Sequence, residues 1–371
     1  MQQVFRADQV GSLTRPVELK QARAAFRAGR LSPEALREVE DRAIVDALAH
    51  QVDVGMPILS DGEFRRDAWQ TDVSDAMEGF VDEYPVVRRT LPGGELVELE
   101  MHTKAVMGRV RPTRRITAAF LPFLRQHATR AFKVTMPSPA MVSRGGFVNG
   151  VTDGAYASRH DLLDDLLPIY QSEMRGLAAD GVPYVQMDEG FIAYVRPDWR
   201  EEVRGRGLDP EQELAADIAA ENACWDLLPP EHVVRAVHMC RGSRTTERGT
   251  GGYEWLAERL FDQLRVDRFL LEYDSELVGG FEPLRYLPKE KAVVLGLVTS
   301  KDPRLEPEET LLRRIDEASR YAPVEQLAIS PQCGFGGSAD NAFMTPDEQW
   351  RKLDLLVRVA DRVWGSVVVN A

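Results

Sequence analysis

Ala292-Val-Val-Leu-Gly-Leu-Val298 is an unbroken apolar run of seven residues, and it breaks at once into Thr299-Ser-Lys-Asp302. Seven residues are too few for a membrane span, and a Val- and Leu-rich run ending in a polar turn reads as a strand covered on both faces. A charged, helix-patterned stretch at 306–320 follows it. The same unit recurs along the chain. Predicted strands fall at 3–10, 57–60, 132–135, 183–187, 233–238, 268–272, 292–297 and 327–330, with predicted helices at 33–54, 160–180, 210–228, 253–263, 306–320 and 346–363 between or after them. Ser32 before Pro33, and Thr345 before Pro346 with Asp347 and Glu348, are good helix starts. Strands that alternate with helices in this number predict an α/β fold, a (β/α)8 TIM barrel. A doubly wound sheet is the competing architecture, but no phosphate-binding fingerprint follows the first strand.

One region departs from the alternation. Residues 78–115 contain Leu91-Pro-Gly-Gly and the alternating Val97-Glu-Leu-Glu-Met, which reads as a hairpin inserted after the second strand. The rest shows no repeat and no linker, so residues 1–371 are expected to form one barrel domain.

Charge and cysteine usage narrow the function. With 59 acidic against 46 basic side chains the net charge is −13, which argues against nucleic acid or an anionic membrane as partner. Three cysteines in 371 residues form no disulfide framework. No apolar leader segment occurs near the N-terminus, so a cytoplasmic protein is expected.

In a barrel, chemistry collects where strands end. The fifth predicted strand ends in His238-Met-Cys-Arg-Gly242, the sixth in Glu272-Tyr-Asp274 and the eighth in Ser330-Pro-Gln-Cys-Gly334. His238 and Cys240, two apart on a strand end, face the same way, and Glu272 and Cys333 complete a set of two sulfurs, one imidazole and one carboxylate that suits Zn²⁺. Buried cysteines more often serve as small core residues, and Cys224, inside a helical pattern, is read that way. Glu63 and Asp188 stand out among the carboxylates at strand ends, whereas Asp61 and Glu189 read as helix or turn caps. Glycine-rich pieces at 144–150, 249–252 and 334–338 match no P-loop or dinucleotide motif, and no Ser-His-Asp arrangement is present.

These strand ends resemble the catalytic C-terminal barrel of cobalamin-independent methionine synthase, from Arg6-Ala-Asp-Gln-Val-Gly-Ser12 through Ser330-Pro-Gln-Cys-Gly334. That enzyme carries a second, N-terminal barrel, for which 371 residues leave no room. Closer still is the likeness to single-barrel methionine synthase II-like proteins, which include zinc-dependent epoxyalkane:coenzyme M transferases. It is carried by His238-Met-Cys-Arg-Gly242 with Gly251-Gly-Tyr253, and by Gly296-Leu-Val-Thr-Ser-Lys301. The resemblance implies zinc ligation by His238, Cys240, Glu272 and Cys333. It further implies homocysteine binding by Gly11 and Ser12 at the carboxylate and by Glu63 and Asp188 at the amino group. Two positions depart from the family pattern: Thr299 and Lys301 stand where an Asp-x-His proton relay is expected, and Pro137-Ser-Pro-Ala-Met141 replaces a segment bearing a pterin-stacking aromatic.

The expected chemistry is therefore zinc-activated alkylation of a small-molecule thiol by an alkyl donor, with homocysteine methylation first among the options. Lys301 or a water would protonate the leaving group. A coenzyme M-like thiol adding to an epoxide would instead use Arg65, Arg66 or Arg241, and a barrel holding zinc without turnover is the third option. The donor and the oligomeric state are left open by the residues.

Overall fold

The computed structural model describes residues 4–81, 86–90, 96–100, 104–241, 252–336 and 343–365. Its strands are β1 (Met77–Phe80), β2 (Val86–Thr90), β3 (Leu96–Glu100), β4 (Val106–Pro112), β5 (Lys133–Pro137), β6 (Tyr184–Glu189), β7 (Val234–Met239), β8 (Arg268–Glu272), β9 (Ala292–Val298) and β10 (Leu327–Pro331). The last six form one parallel sheet in which each strand neighbours its successor in the chain. Parallel neighbours require crossovers. Helices Arg159–Ala179, Pro210–Trp225, Glu254–Gln263 and Glu308–Ser319 supply four of them, and short 3₁₀ turns at Glu276–Val278 and Glu282–Tyr286 span β8 to β9.

Two further staves close the ring. Ala7 bridges in parallel to Ile329 of β10, and Leu59 bridges in parallel to Phe132 just before β5. The result is a (β/α)8 barrel, not a doubly wound sheet. The staves predicted at 3–10 and 57–60 are single bridges and not full ladders, and local conformation explains why. Gly11 (φ +136°) turns the first stave off, while Gly62 (φ +67°) and Glu63 (φ +58°) end the second. Between these two staves, side chains replace part of the ladder. Ser60 Oγ donates to Gly11 O at 2.6 Å, and the Gln9 amide donates to Ile58 O at 3.1 Å.

The region expected as an inserted hairpin folds as two antiparallel pairs, β1 with β4 and β2 with β3; the turn at Leu91 lies outside the described residues. The helix Pro33–Asp53 starts at Ser32, whose hydroxyl accepts from Ala35 N, and Pro346–Trp364 starts with a full capping box between Thr345 and Glu348. No helix among the described residues is long and apolar enough to cross a membrane.

Strand periodicity positions the site. Alternate residues of each stave face the barrel interior. Phe5, Ile58, Tyr184, Val234, Ala236, Leu270, Val294 and Ala328 form the inner apolar cluster, while Val185, Val237, Phe269, Val293 and Leu295 belong to the outer one. Continuing each inward row by steps of two toward the strand ends gives Asp188 on β6, His238 on β7, Glu272 on β8 and Gly296 on β9. The interior rows, largely apolar through the barrel, thus end in ionisable residues on β6, β7 and β8 at the C-terminal mouth.

Candidate metal centre and adjoining carboxylate pocket

One ligand atom from each of His238, Cys240, Glu272 and Cys333 lies within 4.8 Å of all the others. The two sulfurs are 3.3 Å apart and are not bonded as a disulfide. Strand register explains the convergence. Glu272 and Ser330 both pair with Gly296 of β9, so the ends of β8 and β10 flank the same point of the strand between them. A Cβ at Gly296 would lie 2.8 Å from both Gln332 Cα and Leu271 O, so only glycine lets the chain leading to Cys333 come in this closely.

Burial and charge distinguish this quartet from a packing cluster. His238 and Glu272 are buried, while Cys240 and Cys333 are half-buried, in contrast to Cys224, which is wholly inside the outer core as expected. Both ring nitrogens of His238 are buried, with no hydrogen-bond partner beyond the neighbouring Cys240 sulfur. Burial raises the Glu272 carboxyl to about 7, with the Cys240 sulfur adding to the rise and Lys301 opposing it. A hydrogen bond to Cys240, together with burial, pushes the Cys333 thiol up. Left to themselves these groups hold protons against one another. A dication reverses every one of these effects, because it favours thiolate, carboxylate and neutral imidazole together. The donor set, two sulfurs with one nitrogen and one oxygen, fits Zn²⁺.

The expected substrate residues lie against this quartet. Glu63 is the non-glycine residue with positive φ among the described residues, a conformation that costs on the order of 1–3 kcal/mol and is held by its surroundings. Asp61 Oδ1 accepts its backbone N–H at 2.9 Å, the turn-capping role read from the sequence. The Glu63 carboxylate accepts from Thr135 Oγ1 at 2.8 Å and pairs with Arg66 at 3.2 Å. A Cβ on Gly11 would stand 2.7 Å from Glu63 Oε1, so the first stave presses directly on that carboxylate. Asp188 sits in register beside His238 and accepts from Gln186 Nε2 at 3.0 Å. Burial, partly offset by His238 and reinforced by the Glu63 charge, lifts Asp188 to about 7. Ser12 meets the segment after Cys333: its carbonyl accepts from Phe335 N at 2.9 Å, and any Cβ on Gly334 would overlap its hydroxyl. Lys301 is half-buried near the rim, where its charge acts on Glu272 and Cys333.

The basic residues considered for a sulfonate are arranged differently. Arg65 reaches Glu40 and Asp41 at 3.3 and 2.6 Å and lies over the Phe123 ring. Arg66 is enclosed by Glu63, Asp72 and the Thr135 carbonyl. The Arg241 guanidinium packs on Tyr253, 4.3 Å from its ring centre, while the Arg241 backbone N–H donates to Glu272 at 2.6 Å.

Three features escaped the sequence reading. Thr135 orients Glu63, and Gln332 contacts Glu272. Glu189 is buried against Glu221 of the helix Pro210–Trp225, with Ser138 beside both carboxyls. Glu221 had one available signal, an acidic residue on the same helix face as Leu214, Ile218 and Trp225. Residues 249–251 and 337–338, parts of two of the glycine-rich pieces, lie outside the described residues.

Comparison with known proteins gives a consistent result. The family model described as cobalamin-independent synthase, catalytic domain, matches residues 124–360. The uncharacterized protein YxjH of Bacillus subtilis (strain 168) is 35% identical over 370 residues, covering 97% of this chain and 95% of its own. A methionine synthase of Sulfurisphaera tokodaii is 24% identical over 326 residues, covering 88% of this chain and 84% of its own. Among solved structures, a putative vitamin-B12 independent methionine synthase from Listeria monocytogenes superposes with a TM-score of 0.76 at 29% identity, covering 99% of this chain and all of its own. A B12-independent methionine synthase from Shewanella sp. W3-18-1, solved with selenomethionine, gives 0.74 at 21% identity over 97% of this chain and 98% of its own.

Proposed function

The chain belongs to the family of cobalamin-independent synthase catalytic domains, and from that premise we propose that it is a thiol methyltransferase acting on homocysteine, with Zn²⁺ held by His238, Cys240, Glu272 and Cys333. The catalytic unit is the single barrel of residues 1–371 with its insertion at 78–115. Bound at the quartet, Zn²⁺ would supply the positive charge that draws a substrate thiol below its ordinary pKa near ~8.5 and keeps it a nucleophile at neutral pH.

The protein's own residues do the rest. Glu63 and Asp188 take the substrate ammonium, and Ser12 with the Gly11 backbone takes its carboxylate. A sulfur–carbon bond forms as the bond from carbon to the donor's leaving group breaks. The thiol releases its proton to solvent, a loss that the charge of a bound Zn²⁺ would favour, and the leaving group gains a proton from Lys301 or from water. Thiols at Cys240 and Cys333 require reducing surroundings, which suits a cytoplasmic enzyme.

One observation carries the choice of an amino-acid thiol. Glu63 and Asp188 converge beside the quartet closely enough for the charge of one to raise the pKa of the other, and an ammonium group between them relieves that repulsion. Of the arginines that a sulfonate-tailed thiol would need, Arg65 and Arg66 are already enclosed by Glu40, Asp41, Glu63 and Asp72, and Arg241 packs on the Tyr253 ring. The test is methyl transfer to homocysteine and to coenzyme M, with methyl-folate, methylcobalamin and epoxide donors, alongside metal analysis. Transfer to homocysteine that depends on one zinc per chain is expected. Full turnover by metal-free protein would overturn the zinc assignment, and a cobalt-substituted protein whose spectrum no thiol alters would indicate a barrel without turnover.

A further inference from the structure

Glu272 is held from behind by a chain of side chains that no part of the proposed reaction uses. Gln332, buried and adjacent to Cys333, donates from Nε2 to Glu272 Oε2 at 2.9 Å. Its carbonyl oxygen accepts from Thr299 Oγ1 at 2.6 Å. The Thr299 backbone N–H in turn donates to Glu306 Oε1 at 2.8 Å. Glu306 pairs with Lys352 at 3.0 Å, and the Lys352 side chain, wholly buried on the helix Pro346–Trp364, also donates to Arg304 O at 2.7 Å.

The chain has a direction. A hydroxyl donates a single hydrogen bond, and Thr299 spends its own on Gln332, which fixes the amide with its carbonyl toward Thr299 and its NH₂ toward Glu272. Were the amide turned over, its oxygen would face a carboxylate. Glycine at 296 is what lets the Gln332 backbone lie close enough, and Gln332 N holds it there by donating to Val298 O at 2.8 Å. With the Arg241 N–H on Oε1, each Glu272 oxygen receives one neutral donor and keeps a lone pair for an ion.

We propose that Gln332 is a positioning residue for the metal centre: it fixes the orientation of the Glu272 ligand, and Thr299, Glu306 and Lys352 tie that orientation to the last helix. Thr299, at a position read from the sequence as the site of a missing proton relay, thereby gains a role as anchor for a metal ligand. The inference rests on the zinc reading proposed above. Outer partners of metal ligands commonly contribute about 10- to 100-fold in metal affinity.

The test uses the full chain as wild type and as Gln332→Leu, Thr299→Val, Thr299→Ser and Cys333→Ser, loaded with Zn²⁺ or Co²⁺. Chelator competition should show affinity falling by about 10- to 100-fold in Gln332→Leu and by less in Thr299→Val, with Thr299→Ser restored to wild type. The visible bands of the Co²⁺ protein should shift in the two weakened variants, a change that altered packing elsewhere would not produce. Thr299→Val lies outside the quartet's contacts and reports even if Gln332→Leu folds poorly. Wild-type affinity and an unshifted Co²⁺ spectrum in folded Gln332→Leu and Thr299→Val, with metal lost only in Cys333→Ser, would overturn the positioning role and leave the zinc reading intact. A wild-type chain that takes up neither metal would instead overturn the zinc reading, and the positioning role with it.

Discussion

The two ends of this barrel both bury charge, and they neutralise it in opposite ways. Near the N-terminal ends of the strands, Asp8 pairs with Lys133 at 2.7 Å and with Arg268 at 3.2 Å, and accepts from Tyr184 OH at 2.8 Å. Every member of that group has its partner inside the protein. At the C-terminal ends, two thiols, a carboxyl and an imidazole converge with Lys301 acting from the rim, and the imidazole has no hydrogen-bond partner outside the quartet. Burying unpaired charge is expensive, so a fold tolerates the second arrangement only where something from outside completes it. A third cluster lies between the extremes. Glu189 and Glu221 are buried together, and burial pushes both carboxyls up, Glu221 to about 7, which favours protonation there. Among the described residues the Asp8 group is thus matched by cationic side chains and the Glu189–Glu221 pair by protonation, while on the reading proposed above a metal ion would complete the quartet beside the proposed substrate residues.

The largest effect should come from breaking the two ends separately. Cys333→Ser should lower bound zinc from about one per chain to near zero and abolish methyl transfer, while shifting the melting temperature of metal-free protein little. Asp8→Asn should do the reverse, costing about 3–5 kcal/mol by leaving Lys133 and Arg268 short of an anion, yet leaving metal stoichiometry unchanged in the folded fraction. Metal analysis with denaturant melts decides both, and a Cys333→Ser protein that kept its zinc would erase the distinction drawn here.

Next in size is Glu63→Gln. Losing a charged partner for the substrate ammonium should raise KM for homocysteine by roughly 10- to 100-fold, an amount set by about 1.5–3 kcal/mol for a charge-assisted hydrogen bond. The bound zinc should not change. An unchanged KM would remove Glu63 from the amine site.

The proton-neutralised pair gives a smaller, pH-dependent signal. Glu221 is raised from 4.5 to about 7 by burial, so the folded protein retains a proton that the unfolded chain releases between those values. Its contribution to stability is therefore full below pH ~4.5 and is lost as pH climbs toward about 7. Glu221→Gln removes one of the pair's two titrating carboxyls, so melting temperature should fall less steeply with pH across that window than in wild type. A parallel decline in wild type and variant would show that no shared proton is present.

The smallest effect concerns thiol exposure. With zinc removed, mild oxidation should consume Cys240 and Cys333, 3.3 Å apart and half-buried, and spare the buried Cys224. Zinc should protect both reactive thiols, as counting of free sulfhydryls would reveal.

Much of this was visible in the sequence for a physical reason. A parallel strand buried on both faces leaves a dense apolar run, so β8 at Arg268–Glu272 coincides with its predicted span and β9 differs by one residue. The first two staves were legible as β-rich runs, but not their shortness, because Gly11, Gly62 and Glu63 adopt positive φ only in the assembled ring. Cys240, Cys333 and His238 stood out because their residue types are scarce in this chain. Gln332 and Thr135 did not. A neutral polar side chain says nothing by itself, and what these two do depends on Glu272 and Glu63 facing them from other strands. Glu221 was hidden similarly, since its partner Glu189 lies 32 residues away in sequence and meets it only through the packing of helix on sheet.

The hydrogen bond from Phe335 to Ser12, and the approach of Gly334 to the same residue, link the order of synthesis to competence. A nascent chain that has emerged through Glu272 already carries three of the four candidate ligands and both carboxylates proposed for the amine, yet it lacks Cys333 and the segment that seats Ser12. Metal capture would therefore come late in the chain's production, once the eighth stave has joined the first. An ion held at the quartet would certify that the barrel has been completed.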